Sequence, residues 1–147
     1  MDRRRRLWYL IKQIHLSMET VFNNALKEEN ITKSQADVMK YLHMNKDKRI
    51  TQKDIERYFD ISNPTVTGIL NRLEAKDLIV RRIDSSDARV RLVTLSKHGE
   101  EAFYRFVKKL EDNNEIMMSA LADEDREQLL DMLNLILDKV DDIRRNG

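Results

Sequence analysis

The sequence predicts a mainly helical chain with one small β element, and three observations carry that expectation. Only three glycines and one proline occur in 147 residues, too few turn-forming residues for a loop-rich or all-β fold. Both ends carry apolar residues at alternating spacings of four and three: Leu7, Ile11, Ile14, Met18, Val21 and Ala25 near the start, and Leu129, Leu133, Ile136, Val140 and Ile143 near the end. Such a seam belongs on a helix face that meets another helix. Between them lies one pair of β-branched runs, residues 78–83 (LIVRRI) and 90–95 (VRLVTL). They flank Asp84-Ser85-Ser86-Asp87-Ala88-Arg89, which is turn chemistry.

The first helix is expected from about residue 4 to 28. The arginines that precede its seam suit solubilising charge or polar contacts at a subunit interface better than a DNA-binding arm. Thr32-Lys33-Ser34-Gln35 is a capping box, a hydroxyl cap with glutamine at the third helical position. It opens a helix carrying Ala36, Val38, Met39, Tyr41 and Leu42 that ends near Asn45. Arg49-Ile50 suggests a short third strand beside the hairpin.

Thr51 caps the next helix, with Asp54 completing a weaker box and Ile55, Tyr58 and Phe59 supplying the apolar stripe. Ser62-Asn63-Pro64 then opens a second short helix, with Ser or Asn as cap and Pro where a missing N–H is harmless. Val66, Ile69, Leu70 and Leu73 make its core side. Asn63, Pro64, Thr67, Gly68 and Asn71 face the other way, with Thr65 and Arg72 on a flank. Two helices joined by so tight a turn form a helix-turn-helix, and the hairpin that follows is its wing.

After the wing, Ser96 caps a long helix with Phe103, Phe106, Leu110 and Met117 down one side. Ala122-Asp123-Glu124-Asp125 starts the last helix, with acids where the helix dipole favours them. Leu130 and Leu137 widen the stripe of that helix. The predicted fold class is therefore mainly α with a small β-wing: a winged helix-turn-helix flanked by N- and C-terminal dimerisation helices. Its expected parts are residues 1–30, 31–98 and 99–147. Two terminal seams are hard to bury inside so small a monomer. They predict a twofold dimer through Leu7, Ile11, Ile14, Leu129, Leu133, Ile136 and Val140, the alternative being an intramolecular helical bundle.

Net charge is only +1, so overall basicity makes no case for nucleic acid; its distribution does. Residues 48–98 hold 11 Lys/Arg against 7 Asp/Glu, whereas residues 99–147 hold 7 against 13. A basic reading module with an acidic C-terminal arm follows. The outer face of residues 62–76 carries amides and hydroxyls that can read base edges. Arg89 at the hairpin tip, with Arg81, Arg82 and Arg91 on the strands, suits phosphate or a minor groove.

An ordered set of segments resembles the MarR family of bacterial transcription regulators: Ile31-Thr32-Lys33-Ser34-Gln35, Ser62 with Thr65-Val66-Thr67 and Leu70-Asn71-Arg72-Leu73-Glu74, Leu78-Ile79-Val80-Arg81-Arg82, Asp87-Ala88-Arg89, and Leu95-Ser96-Lys97-His98-Gly99. The resemblance covers essentially the whole chain. It implies a dimeric, sequence-specific DNA-binding regulator, expected to be a repressor, on a pseudo-palindromic double-stranded operator with half-sites about one helical turn apart. Asn63, Thr65, Thr67 and Asn71 would lie nearest the bases, with Ser62, Arg72, Arg82 and Arg91 beside them and Arg89 in the flanking minor groove. Asp87 resembles the family's acidic partner that steers the wing arginine. Ser34 and Gln35 would be minor contacts to the DNA backbone, although capping alone explains both.

Many relatives carry Arg where this chain has Gly68, so operator specificity does not transfer from them. Many also release DNA when a small, often aromatic, anion fills a cleft between dimer arm and reading module; Trp8, His15, Tyr41 and Phe103 are the candidate lining here. The competing function is a winged-helix module for protein contact, without sequence-specific DNA binding. No cysteine occurs, which excludes a disulfide scaffold, a Cys-based zinc site and thiol sensing. His15, His43 and His98 are scattered, and no metal site or cofactor is expected. No phosphate-cradling glycine loop, nucleophile elbow or zinc-protease motif is present, so no enzyme is expected. No stretch reads as a signal peptide or membrane span, and a cytoplasmic location is expected.

Overall fold

The computed structural model describes residues 3–147, with side chains from Arg6 onward. Most of the N-terminal arginine run therefore lies outside the described side chains. The elements in order are α1 (Arg3–Glu28), α2 (Lys33–Met44), α3 (Gln52–Phe59), α4 (Asn63–Ala75), β1 (Ile79–Ile83), β2 (Arg91–Leu95), α5 (Lys97–Met118) and α6 (Asp123–Asn146). The chain divides into two compact units, one ending at Leu110 and one spanning Glu111–Gly147.

Local chemistry explains most boundaries of the first unit. The Thr32 hydroxyl accepts from the Gln35 N–H while the Gln35 carboxamide oxygen accepts from the Thr32 N–H, each at 3.2 Å. Thr51 and Asp54 make the same reciprocal pair at 3.1 and 2.9 Å. Ser62 is the cap residue of α4, yet its hydroxyl makes no cap bond; it pairs with the Thr65 hydroxyl at 2.9 Å instead. Chain reversals after α1, α3 and α4 use Asn30, Asp60 and Asp77, all at positive φ, a conformation that Asn and Asp tolerate better than other side chains. Ser96 accepts from the Gly99 N–H at 2.9 Å and so caps α5.

β1 and β2 pair antiparallel, from Ile79 opposite Leu95 to Ile83 opposite Arg91. The expected third strand is reduced to a single bridge between Thr51 and Leu92, supported by the Val93 N–H bonding the Ile50 carbonyl at 2.9 Å. The chain enters α3 at once, leaving no room for a longer ladder. The core gathers Val38, Met39 and Leu42 of α2, Ile55 of α3, Val66, Leu70 and Leu73 of α4, Ile79 and Val93 of the sheet, and Ala102, Phe103 and Phe106 of α5. Gly99 is required where α5 meets the sheet: a Cβ there would lie 1.9 Å from the Leu78 carbonyl oxygen.

The N-terminal seam behaves in two parts. Ala25 is buried in this core, whereas Leu7, Ile11, Ile14, Met18 and Val21 are exposed. In the second unit α6 carries three acids in its first turn and Arg144 and Arg145 in its last, matching the helix dipole at both ends. No side chain of α6 is buried, and Leu133, Ile136 and Val140 all stand exposed.

Candidate nucleic-acid interface

The site is built from α3, α4 and the β1–β2 hairpin. A polar trough of about 450 Å³ lies between them, lined by Thr51, Gln52, Lys53 and Glu56, by Asn63 at the start of α4, and by Arg89, Val90 and Arg91 of the hairpin. Its walls are set by side-chain bonds between elements. Gln52 donates to the Thr67 hydroxyl at 2.9 Å and Asn63 donates to Glu56 Oε1 at 2.6 Å, so α3 and α4 are laced together along their outer edges. Thr51 donates to Asp54 through backbone and hydroxyl, which holds the Asp54 carboxyl below its ordinary range.

The hairpin is braced from below and pinned at its tip. Asp84 is buried; Arg49 and the Ser86 hydroxyl both donate to it. The Arg49 bond, followed by that of Ser86, holds the Asp84 carboxyl at about 2. Asp87 Oδ1 accepts from the backbone N–H of Arg89 at 3.0 Å, a two-residue side-chain turn that fixes the tip. The arginine side chain of this exposed tip lines the trough.

The predicted site residues divide by this geometry. Asn63, Arg89 and Arg91 meet in the trough. Ser62, Thr65, Asn71, Arg72 and Arg82 are exposed, and Thr67 is half-buried. Ser34 is exposed on the first turn of α2. Gln35 is a correction. It is 2% exposed, and its carboxamide oxygen takes both the Thr32 N–H and, at 3.0 Å, the Lys76 ammonium, so it caps and ties the fold rather than meeting a surface.

Arg81, expected as wing charge, turns back to α4: it donates to Glu74, and at 2.8 Å to Asn71 Oδ1. The Arg81–Glu74 bond draws the Glu74 carboxyl below its usual range. The structural part of Arg49 and the partners of Asn63 and Asn71 were not foreseen, because each contact joins different elements.

The four candidate effector residues are not brought together. Trp8 and His15 are exposed on α1. Tyr41 stacks on Tyr58 with ring centres 4.3 Å apart, and burial raises its phenol pKa. Phe103 lines a cavity of about 530 Å³ with His43, Glu100, Glu101, Tyr104, Arg105 and Val107. Here His43 Nδ1 and Glu100 Oε2 lie 2.7 Å apart, and the His43 ring is 5.1 Å from that of Phe103. Among the described residues no group of three or more His, Cys, Asp or Glu could hold a metal ion, and no helix is long and apolar enough to cross a membrane.

Residues 29–90, which hold α2 to the wing tip, match the model of the MarR family. The chain is similar to that family over this stretch, 62 of its 147 residues. It is 32% identical over 88 residues to the uncharacterised HTH-type transcriptional regulator YwoH of Bacillus subtilis, covering 60% of this chain and 64% of that one. The HTH-type transcriptional regulator FarR of Neisseria gonorrhoeae is 28% identical over 132 residues, 88% of this chain and 87% of FarR. YwoH is thus matched over less than two thirds of its length. Among solved structures, a complex of S. aureus MepR with DNA superimposes with a TM-score of 0.83 at 28% identity, covering 90% of this chain and 98% of MepR. MepR bound to ethidium bromide matches with a TM-score of 0.74. The winged helix-turn-helix expected from the sequence is thus the fold of this chain.

Proposed function

We propose that this chain is a homodimeric, sequence-specific DNA-binding transcription regulator that acts as a repressor. The observation that carries the reading is the trough in which Asn63 of α4 meets Arg89 and Arg91 of the wing, on a fold shared with MepR in a DNA complex. Helix α4 enters the major groove, with Asn63, Thr65, Thr67 and Asn71 toward base edges. Arg89 reaches the flanking minor groove, while Arg91 and Lys53 meet phosphates. The exposed apolar faces of α1 and α6 bury against a second copy, so the operator is a pseudo-palindrome with half-sites about one helical turn apart.

A small aromatic effector releases the DNA. The cavity beside Phe103 supports this part, and MepR bound to ethidium bromide supplies a family precedent. With Arg105 on its wall paired to Glu29 and His43 to Glu100, Glu101 is the wall charge that favours a cationic aromatic over the anionic type implied by the resemblance.

Fluorescence anisotropy on the duplex upstream of the chain's own coding sequence, against scrambled duplex at two salt concentrations, tests the function. A preference for the upstream duplex, with affinity falling steeply as salt rises, is expected. No duplex binding even at low salt would replace this reading with a protein-contact module.

A further inference from the structure

The two asparagines of α4 each have one end of the amide committed to a partner of fixed polarity. Asn63 Nδ2 donates to Glu56 Oε1 at 2.6 Å, and a carboxylate only accepts. Asn71 Oδ1 accepts from Arg81 Nη2 at 2.8 Å, and a guanidinium only donates. An asparagine amide is ordinarily ambiguous, because its two ends are alike in size and exchange by a half-turn. Here neither can turn: a flipped Asn63 would set oxygen against carboxylate, and a flipped Asn71 would set an amino group against guanidinium. Arg81 is itself held by Glu74, so the second lock is anchored twice.

We infer that these locks give the reading helix a fixed hydrogen-bond polarity: with one Nδ2 hydrogen of Asn63 and one lone pair of Asn71 Oδ1 already taken, Asn63 turns chiefly its oxygen and Asn71 chiefly its amino group to the groove. The inference rests on the proposed entry of α4 into DNA and deepens it by naming what the helix selects. In the major groove the exocyclic amino groups of adenine and cytosine donate, whereas guanine, thymine and the adenine N7 accept. Asn63 therefore selects adenine or cytosine. Asn71 selects against cytosine, whose major-groove edge offers only a donor. The residues are eight apart, about 12 Å along a helix, so the two contacted bases lie roughly three to four pairs apart at about 3.4 Å per pair. Glu56 and Arg81 act through these asparagines and are positioning residues.

The test is selection of the full-length chain on a library of duplexes with a randomised core, followed by titration of single-base variants of the enriched sequence. Wild type should favour adenine or cytosine at one position by about tenfold, and disfavour cytosine by a similar factor three or four pairs away. E56Q replaces the obligate acceptor by an amide that also donates, and R81M removes the obligate donor. E56Q should lose the first preference and keep the second; R81M should do the reverse. Identical preferences in all three proteins, or a wild type that tolerates every base at both positions, would overturn the inference while salt-dependent binding stands. A wild type that binds no duplex at low salt overturns the DNA reading and this inference together. Because the wild-type pattern is informative alone, a variant that fails to fold does not block the test.

Discussion

Gly68 lies midway along α4, with nothing within 4 Å of the place a Cβ would occupy. Packing does not demand it, and a mid-helix glycine is less stable than alanine by about 1 kcal/mol. Gly68→Ala should therefore raise the unfolding free energy by about 1 kcal/mol, seen as a higher urea midpoint, while weakening duplex binding because a methyl group intrudes on the reading face. A stability gain without loss of affinity would remove Gly68 from the interface. For Arg89, replacement by Ala should weaken operator binding by roughly tenfold and reduce the salt slope by about one, with helicity and oligomeric state intact. Unchanged affinity would take the wing out of the mechanism.

Residues of this kind were legible in the sequence because exposure follows from their place on a turn or an outer helix face. Gln35 was legible only in part. Its capping role is a three-residue pattern, but its carboxamide also takes a bond from Lys76, 41 positions away, and no local pattern encodes that.

Elements follow the same division. Both threonine caps, the ends of α3 and α4 and the hairpin turn arise from contacts a few residues apart, so sequence spacing reveals them. The brace under the wing joins Arg49 to Asp84 across 35 positions; read locally, Asp84 was only turn chemistry. Its carboxyl is lowered from 3.8 to about 2, first by Arg49 and then by Ser86. A carboxyl lowered on folding stabilises the native state fully above its unfolded value, and this contribution is lost as pH falls through the folded one. Thermal unfolding should thus separate wild type from Asp84→Asn by a constant margin at neutral pH. The margin should shrink below about pH 4 and vanish near pH 2. A gap that persists at pH 2 would mean that the brace acts through packing rather than charge.

At the scale of the molecule, each unit has an unfinished surface. Leu7, Ile11 and Ile14 are exposed on α1, and Leu133, Ile136 and Val140 on α6, more apolar side chain than monomers usually leave in water. Sequence periodicity revealed these seams, but periodicity alone does not say whether a partner is another helix of the same chain or of a second one. If α6 forms the proposed dimer, the double substitution Leu133→Asp with Ile136→Asp should leave a monomer by sedimentation velocity and weaken operator binding, since the half-sites would no longer be held jointly. A persisting dimer would place the interface elsewhere.

Lys76, at the end of α4, donates to the Asn30 carbonyl at 2.5 Å and to Gln35 at 3.0 Å. Helix α4 is thus moored to the turn at which α1 gives way to α2. On the proposed function, this ammonium group is one physical link between the dimer arm and the helix that reads the operator.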